Sequence, residues 1–176
     1  MKSNIALIGF MGAGKTAVGK ALAEKLGKKF VEMDSLIEQK AGKSIPEIFQ
    51  QDGEIAFREL EIEVTKEVSK GKNLVIACGG GVVLNKINID RLREESTIVY
   101  LTVSPRTVLK RTSNDAEVRP LLKVANPLST IRELIRFRRP FYERAADIKV
   151  NTSNLSINSV VERIVTKLKQ YESFNL

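Results

Sequence analysis

Histidine and tryptophan are absent from this chain of 176 residues, cysteine occurs once, and aromatic residues make up only 6% of it. Each shortage removes a class of answers. Without histidine there is no imidazole to serve as a general base or metal ligand, so acid–base chemistry falls to other side chains. Cys78 stands alone, so neither an internal disulfide nor a Cys/His metal cluster can form, and a reducing compartment follows naturally. Long apolar runs are missing too: the opening run spans about seven residues, too few to cross a bilayer, and leads into a glycine-rich loop instead of a cleavage site. A cytoplasmic protein without membrane partners is expected. No Pro/Ser/Gly-rich linker, low-complexity tract or internal repeat divides the sequence, so residues 1–176 are expected to form a single domain large enough to bury its own core.

Negative charge is also in deficit, with 21 Asp and Glu against 29 Lys and Arg for a formal net charge of +8. Such an excess raises nucleic acid as a partner, but the basic residues are dispersed. The densest group, Arg132, Arg136, Arg138, Arg139 and Arg144, shares one helical stretch with Glu133 and Glu143. Phe137, Phe141 and Tyr142 beside it read as core residues and not as stacking platforms for bases. The charge therefore suits small anions, and no nucleic-acid partner is expected.

Against these absences stands one complete pattern. Gly9-Phe10-Met11-Gly12-Ala13-Gly14-Lys15-Thr16 is a G-x-x-x-x-G-K-[ST] phosphate-binding loop, placed directly after the apolar run Ile5-Ala6-Leu7-Ile8. Its glycines let backbone N–H groups turn inward on a polyphosphate, Lys15 can reach the β- and γ-phosphates, and the Thr16 hydroxyl can ligate Mg²⁺. The helix that follows points its positive end at the same anion.

Further along, Val- and Ile-rich runs alternate with longer amphipathic stretches, the pattern of β-α-β units in a parallel sheet covered on both faces. Strands are predicted near 4–9, 29–33, 73–78, 97–102 and 147–150. Helices are predicted near 15–27, 34–41, 45–51, 54–70, 86–94, 105–113, 128–144 and 156–171. The stretch 113–127 lacks periodicity and is bracketed by turn formers; a loop of that length is a functional lid or a disordered segment.

Several polar residues stand out. Glu32 and Asp34 are expected on one face at the end of the second strand, where ligands of open α/β sheets bind. Asp34 can accept a substrate hydroxyl's proton, or it can simply cap the next helix. Gly79-Gly80-Gly81 closes the third strand; a ligand approaching bare backbone would explain the run, as would a plain turn. No Asp ends this strand, where many phosphate-loop enzymes keep a second Mg²⁺ ligand. Arg58 and Glu61, at i and i+3, would by themselves be a surface ion pair. Arg138 and Arg119 are equally unremarkable in isolation.

Taken in order, Gly9-x-x-Gly12-x-Gly14-Lys15-Thr16, Asp34, Asp52-Gly53-Glu54-x-x-Phe57-Arg58-x-x-Glu61, Gly79-Gly80-Gly81, Arg119-Pro120-Leu121-Leu122 and Arg138-x-Pro140-x-Tyr142 closely resemble the shikimate kinase family. The resemblance runs from about residue 5 to 150. It implies a three-layer α/β fold of the nucleoside-monophosphate-kinase type, with five parallel strands in the order 2-3-1-4-5, and transfer of the ATP γ-phosphoryl group to the 3-hydroxyl of shikimate. It further implies that Asp34, Arg58, Gly80 and Arg138 bind shikimate, that a helical segment near 33–61 forms the shikimate-binding part, and that Gly12, Ala13, Gly14, Lys15, Thr16 and Ala17 hold ATP with Mg²⁺ on Thr16. Arg111 would lie against adenine, and Arg119 would reach the phosphates from a lid near 113–126. Asp34, Lys15 and Arg119 are then the catalytic candidates, and a monomer is expected. One departure is visible: the family usually carries Asp-x-Asp where this chain has Glu32-x-Asp34. Two rivals share parts of the pattern. They are a kinase for another sugar acid such as gluconate, and a nucleotide-regulated binding module with residues 9–16 alone.

Overall fold

The computed structural model describes residues 2–113 and 124–171. Its strands are β1 (Asn4–Ile8), β2 (Lys29–Glu32), β3 (Leu74–Ala77), β4 (Ser96–Thr102) and β5 (Ile148–Asn151). They form one parallel sheet in the order β2-β3-β1-β4-β5, as expected. Helices α1 (Lys15–Leu26), α2 (Met33–Ala41), α3 (Ile45–Gln51), α4 (Gly53–Val68), α5 (Lys86–Glu95), α6 (Pro105–Thr112), α7 (Pro127–Ala145) and α8 (Ile157–Lys169) cover it, with a short 3₁₀ turn at Val82–Leu84.

Burial on both faces explains why β1 reads as an unbroken apolar run. Ala6 and Ile8 face one core with Ile76, Ile98, Met33, Ile37, Ile48, Phe57 and Leu92. Ile5 and Leu7 face the other, where Val18 and Leu22 of α1 meet Val160, Val161, Ile164, Val165 and Leu168 of α8. The α8 stripe repeats at helical spacing, and Ser156 caps that helix by accepting from the Ser159 amide. Ser44 and Glu47 form a reciprocal capping box at the start of α3.

Register brings the strand ends to one edge. Leu7 pairs with Ala77 and Val99, Glu32 with Ala77, and Thr102 with Asn151, so the residues after each strand converge on a common rim. That rim carries the phosphate loop, the start of α2, the glycine triplet and Thr152. One expectation changes here. β2 stops at Glu32, which is the N-cap residue of α2, and Asp34 lies in the first turn of that helix. Asp34 therefore does not share a strand face with Glu32, and it does not cap the helix.

Candidate active site

The phosphate loop joins β1 to α1. Gly12 and Gly14 have φ of 72° and 94°, a conformation that residues with a side chain rarely adopt. Through it the chain turns tightly into α1, whose first turn has no acidic residue and no capping side chain. Helix N-terminal amides are thus left for an anion. Lys15 Nζ donates to the Gly9 and Phe10 carbonyls at 2.7 and 3.0 Å, which holds the ammonium over the loop. Thr16 and Ala17 are exposed, while Ala13 is buried.

The Thr16 hydroxyl donates to Glu32 Oε1 at 2.8 Å. The longer side chain of Glu32 therefore reaches the hydroxyl proposed as a metal ligand. One carboxylate and one hydroxyl form a hard-oxygen set suited to Mg²⁺, which keeps several waters and takes few protein ligands. Among the described residues no group of three or more His, Cys, Asp or Glu could form a larger metal cage.

Arg111 of α6 lies over the same loop, donating to Gly12 O at 2.9 Å and to Thr152 O at 2.7 Å. Thr152 is buried, and its hydroxyl donates to Ala13 O at 2.8 Å. Nothing in the sequence singled out Thr152, because its partners lie 139 and 41 residues away.

The glycine triplet forms the opposite wall, and charged side chains crowd it. A Cβ on Gly79 would stand 3.0 Å from Asp34 Oδ1 and 3.2 Å from Glu61 Oε2. One on Gly80 would stand 3.5 Å from Arg138 Nη1 and 3.7 Å from Met11 N of the phosphate loop. One on Gly81 would stand 2.5–2.9 Å from the Arg58 guanidinium. The crowding is tight at Gly79 and Gly81 and ordinary at Gly80. Four charges from α2, α4 and α7 therefore surround three residues that also border the phosphate loop.

Arg58 and Glu61 are not the surface pair that their spacing alone suggests. Nη1 of Arg58 donates to Glu61 Oε1 at 2.9 Å, and the Glu61 side chain is 1% exposed. Its other oxygen has no hydrogen-bond partner among the described residues. Burial pushes the Glu61 carboxyl above the usual range, Arg58 and Arg138 pull it back, and Asp34 adds to the rise. A sequence signal for this existed: Phe57, Glu61, Val64 and Val68 recur at helical spacing, and all are buried. The Arg58 guanidinium also lies over Phe57, and that of Arg138 over Phe10, at 5.1 and 5.7 Å from the ring centroids. Phe137, expected in the core, is largely exposed, whereas Tyr142 is buried. Cys78, at the end of β3, is buried and its thiol is pushed up by desolvation, so it is no nucleophile. Arg119 lies outside the described residues.

Known proteins resemble this chain over nearly its whole length. A model of the family described as "Shikimate kinase" matches residues 11–169. The chain is 43% identical over 168 residues to the shikimate kinase of Symbiobacterium thermophilum, covering 95% of this chain and 97% of that one. It is 46% identical over 172 residues to the shikimate kinase of Thermodesulfovibrio yellowstonii, with 96% and 95% covered. Among solved structures, shikimate kinase from Acinetobacter baumannii in complex with shikimate superposes with a TM-score of 0.92 at 38% identity, over 98% of this chain and 96% of that one. The Aquifex aeolicus shikimate kinase gives 0.84 at 37% identity, over 97% and 98%.

Proposed function

The chain belongs to the shikimate kinase family, and from that premise we propose a residue-level account of its reaction, transfer of the ATP γ-phosphoryl group to the 3-hydroxyl of shikimate. The observation that carries it is the glycine triplet shared by two arginines, Asp34 and the phosphate loop. Shikimate is a small carboxylate with three hydroxyls. Arg58 and Arg138 bind the carboxylate through charge-assisted hydrogen bonds, and Asp34 and Gly80 bind hydroxyls. Asp34 then takes the proton of the reacting hydroxyl.

On the nucleotide side, the backbone of Gly12, Ala13, Gly14, Lys15, Thr16 and Ala17 cradles the phosphates, and Arg111 flanks the base. Lys15 and Arg119 offset the charge on the transferring group. Mg²⁺, when bound, screens the phosphates; Thr16 would hold it, with Glu32 fixing that hydroxyl. The chain is read as one kinase domain, a monomer working in the cytoplasm, with residues 113–126 as the lid that carries Arg119. Among the described residues no helix is long and apolar enough to cross a membrane.

The test is a coupled ADP-release assay with ATP and Mg²⁺, run with shikimate, with gluconate and with neither. ADP release driven by shikimate alone is the expected result. A response to gluconate only, or no response to either acid, overturns the reading.

A further inference from the structure

The carbonyls of the glycine triplet are all engaged. Gly79 O accepts from Val82 N at 3.2 Å and Gly81 O from Leu84 N at 3.0 Å, both local turn bonds. Gly80 O is taken by a side chain 62 residues away, the Tyr142 hydroxyl at 2.5 Å. Three consecutive glycines have no Cβ to bias their peptide planes, so the Gly80–Gly81 peptide can flip unless something holds it. Tyr142 is suited to hold it. Its ring is 1% exposed and stacks on Tyr100 of β4, with centroids 4.9 Å apart at 21°.

The phenol has one proton, and a carbonyl can only accept, so that proton belongs to Gly80. Burial pushes the phenol pKa up to about 12, which keeps the donor protonated across the neutral range. Arg138, one turn earlier on α7, opposes the effect of burial on the phenol. Arg138 Nη1 also stands 3.5 Å from the Cβ position of Gly80. The buried phenol thus holds the backbone carbonyl of Gly80, and Arg138 Nη1 stands beside the same glycine.

We propose that Tyr142 is a positioning residue for acid recognition: its phenol locks the Gly80–Gly81 peptide with the carbonyl turned onto α7, so that this backbone meets the substrate in register with the Arg138 guanidinium beside it. The proposal rests on the shikimate-binding role of Gly80 and Arg138 given above. Tyr142→Phe is the clean test, because it keeps the ring and its stack and deletes only the oxygen.

In the ADP-release assay the shikimate KM of Tyr142→Phe rises by about tenfold, the size expected when a buried acceptor loses its donor. The ATP KM stays within about twofold, since no phosphate contact changes. Tyr171→Phe is the control: it deletes another phenol, bonded to Asp147 Oδ1 at 3.0 Å, and changes the melting temperature without changing the shikimate KM. Combining Tyr142→Phe with Arg138→Lys gives a non-additive effect on the shikimate KM. An unchanged shikimate KM, strict additivity, or loss of cooperative melting in Tyr142→Phe overturns the proposal. Failure of the unaltered protein to respond to shikimate would instead overturn the function itself.

Discussion

The Arg58 guanidinium occupies the space beside Gly81 that a side chain would need, with its nearest nitrogen 2.5 Å from the position of a Cβ. Gly81 has φ −98° and ψ 3°, a backbone that alanine can adopt. Gly81→Ala therefore adds no backbone strain and displaces only the end of a flexible arginine. Because the displaced guanidinium also bonds to the buried Glu61, the variant should melt lower while still unfolding cooperatively. Its shikimate KM should rise at least about tenfold through loss of a charge-assisted contact. A normal shikimate KM in the folded variant would show that Arg58 does not bind the acid from this position.

Lys15 serves the phosphate loop and not the core, since its ammonium bonds to the loop carbonyls of Gly9 and Phe10. Lys15→Ala should keep the fold, by circular dichroism and melting, and lower kcat on the order of a hundredfold or more. Near-normal turnover would remove the lysine from charge stabilisation.

Asp34 and Glu61 both stand close to Gly79, yet only Asp34 is assigned the proton. Glu61 is engaged by Arg58 and is almost fully shielded from solvent. Asp34→Asn keeps the shape but cannot take a proton, so kcat should fall by about 10²- to 10⁴-fold with the ATP KM little changed. Equal losses in turnover and ATP affinity would leave Asp34 a structural residue.

Much of this arrangement is legible along the chain, and the exceptions share a cause. The runs Ile5–Ile8, Val75–Ala77 and Thr97–Leu101 announce buried parallel strands because both faces must be apolar. The stripe of α8 announces itself by its period. The alternation Glu32 to Asp34 looks the same whether the chain continues extended or enters a helix at Met33, so the shared face expected for the two carboxylates does not form. The glycine triplet shows in the sequence as a run that a ligand approach or a plain turn would explain, but its neighbours Arg58, Arg138, Asp34 and Glu61 come to it from three helices distant in the chain. The burial of Glu61 is announced by its helical spacing with Phe57, Val64 and Val68, whereas the bonds of Thr152 depend on long-range partners that local pattern does not encode.

Glu32 marks where this chain departs from the usual Asp-x-Asp, and its bond to Thr16 gives it a testable role. Glu32→Gln should raise the Mg²⁺ concentration that gives half-maximal activity several-fold, roughly the effect of losing a partner that orients a metal ligand. The shikimate KM should not change, because Glu32 does not border the triplet. Glu32→Asp retains a carboxylate and should fall between the two. Unaltered Mg²⁺ dependence in Glu32→Gln would separate the Thr16 contact from metal binding.

Glu61 allows a prediction about stability that does not depend on turnover. Its folded pKa is raised, chiefly by burial, above the value of about 4.3 expected in the unfolded chain. On raising the pH, the unfolded chain loses this proton first while the folded protein still holds it. Stability contributed by the neutral form is therefore complete below about pH 4 and declines as pH rises through the folded pKa, then becomes constant. Glu61→Gln has no proton to lose and escapes that decline. The difference in melting temperature, variant minus unaltered protein, should become steadily more favourable to the glutamine from about pH 4 upward and level off once native Glu61 is ionised. Melting curves at closely spaced pH values measure it directly. A difference that moves the other way would mean that Arg58 and Arg138 outweigh burial and that the folded carboxyl is held below its ordinary range.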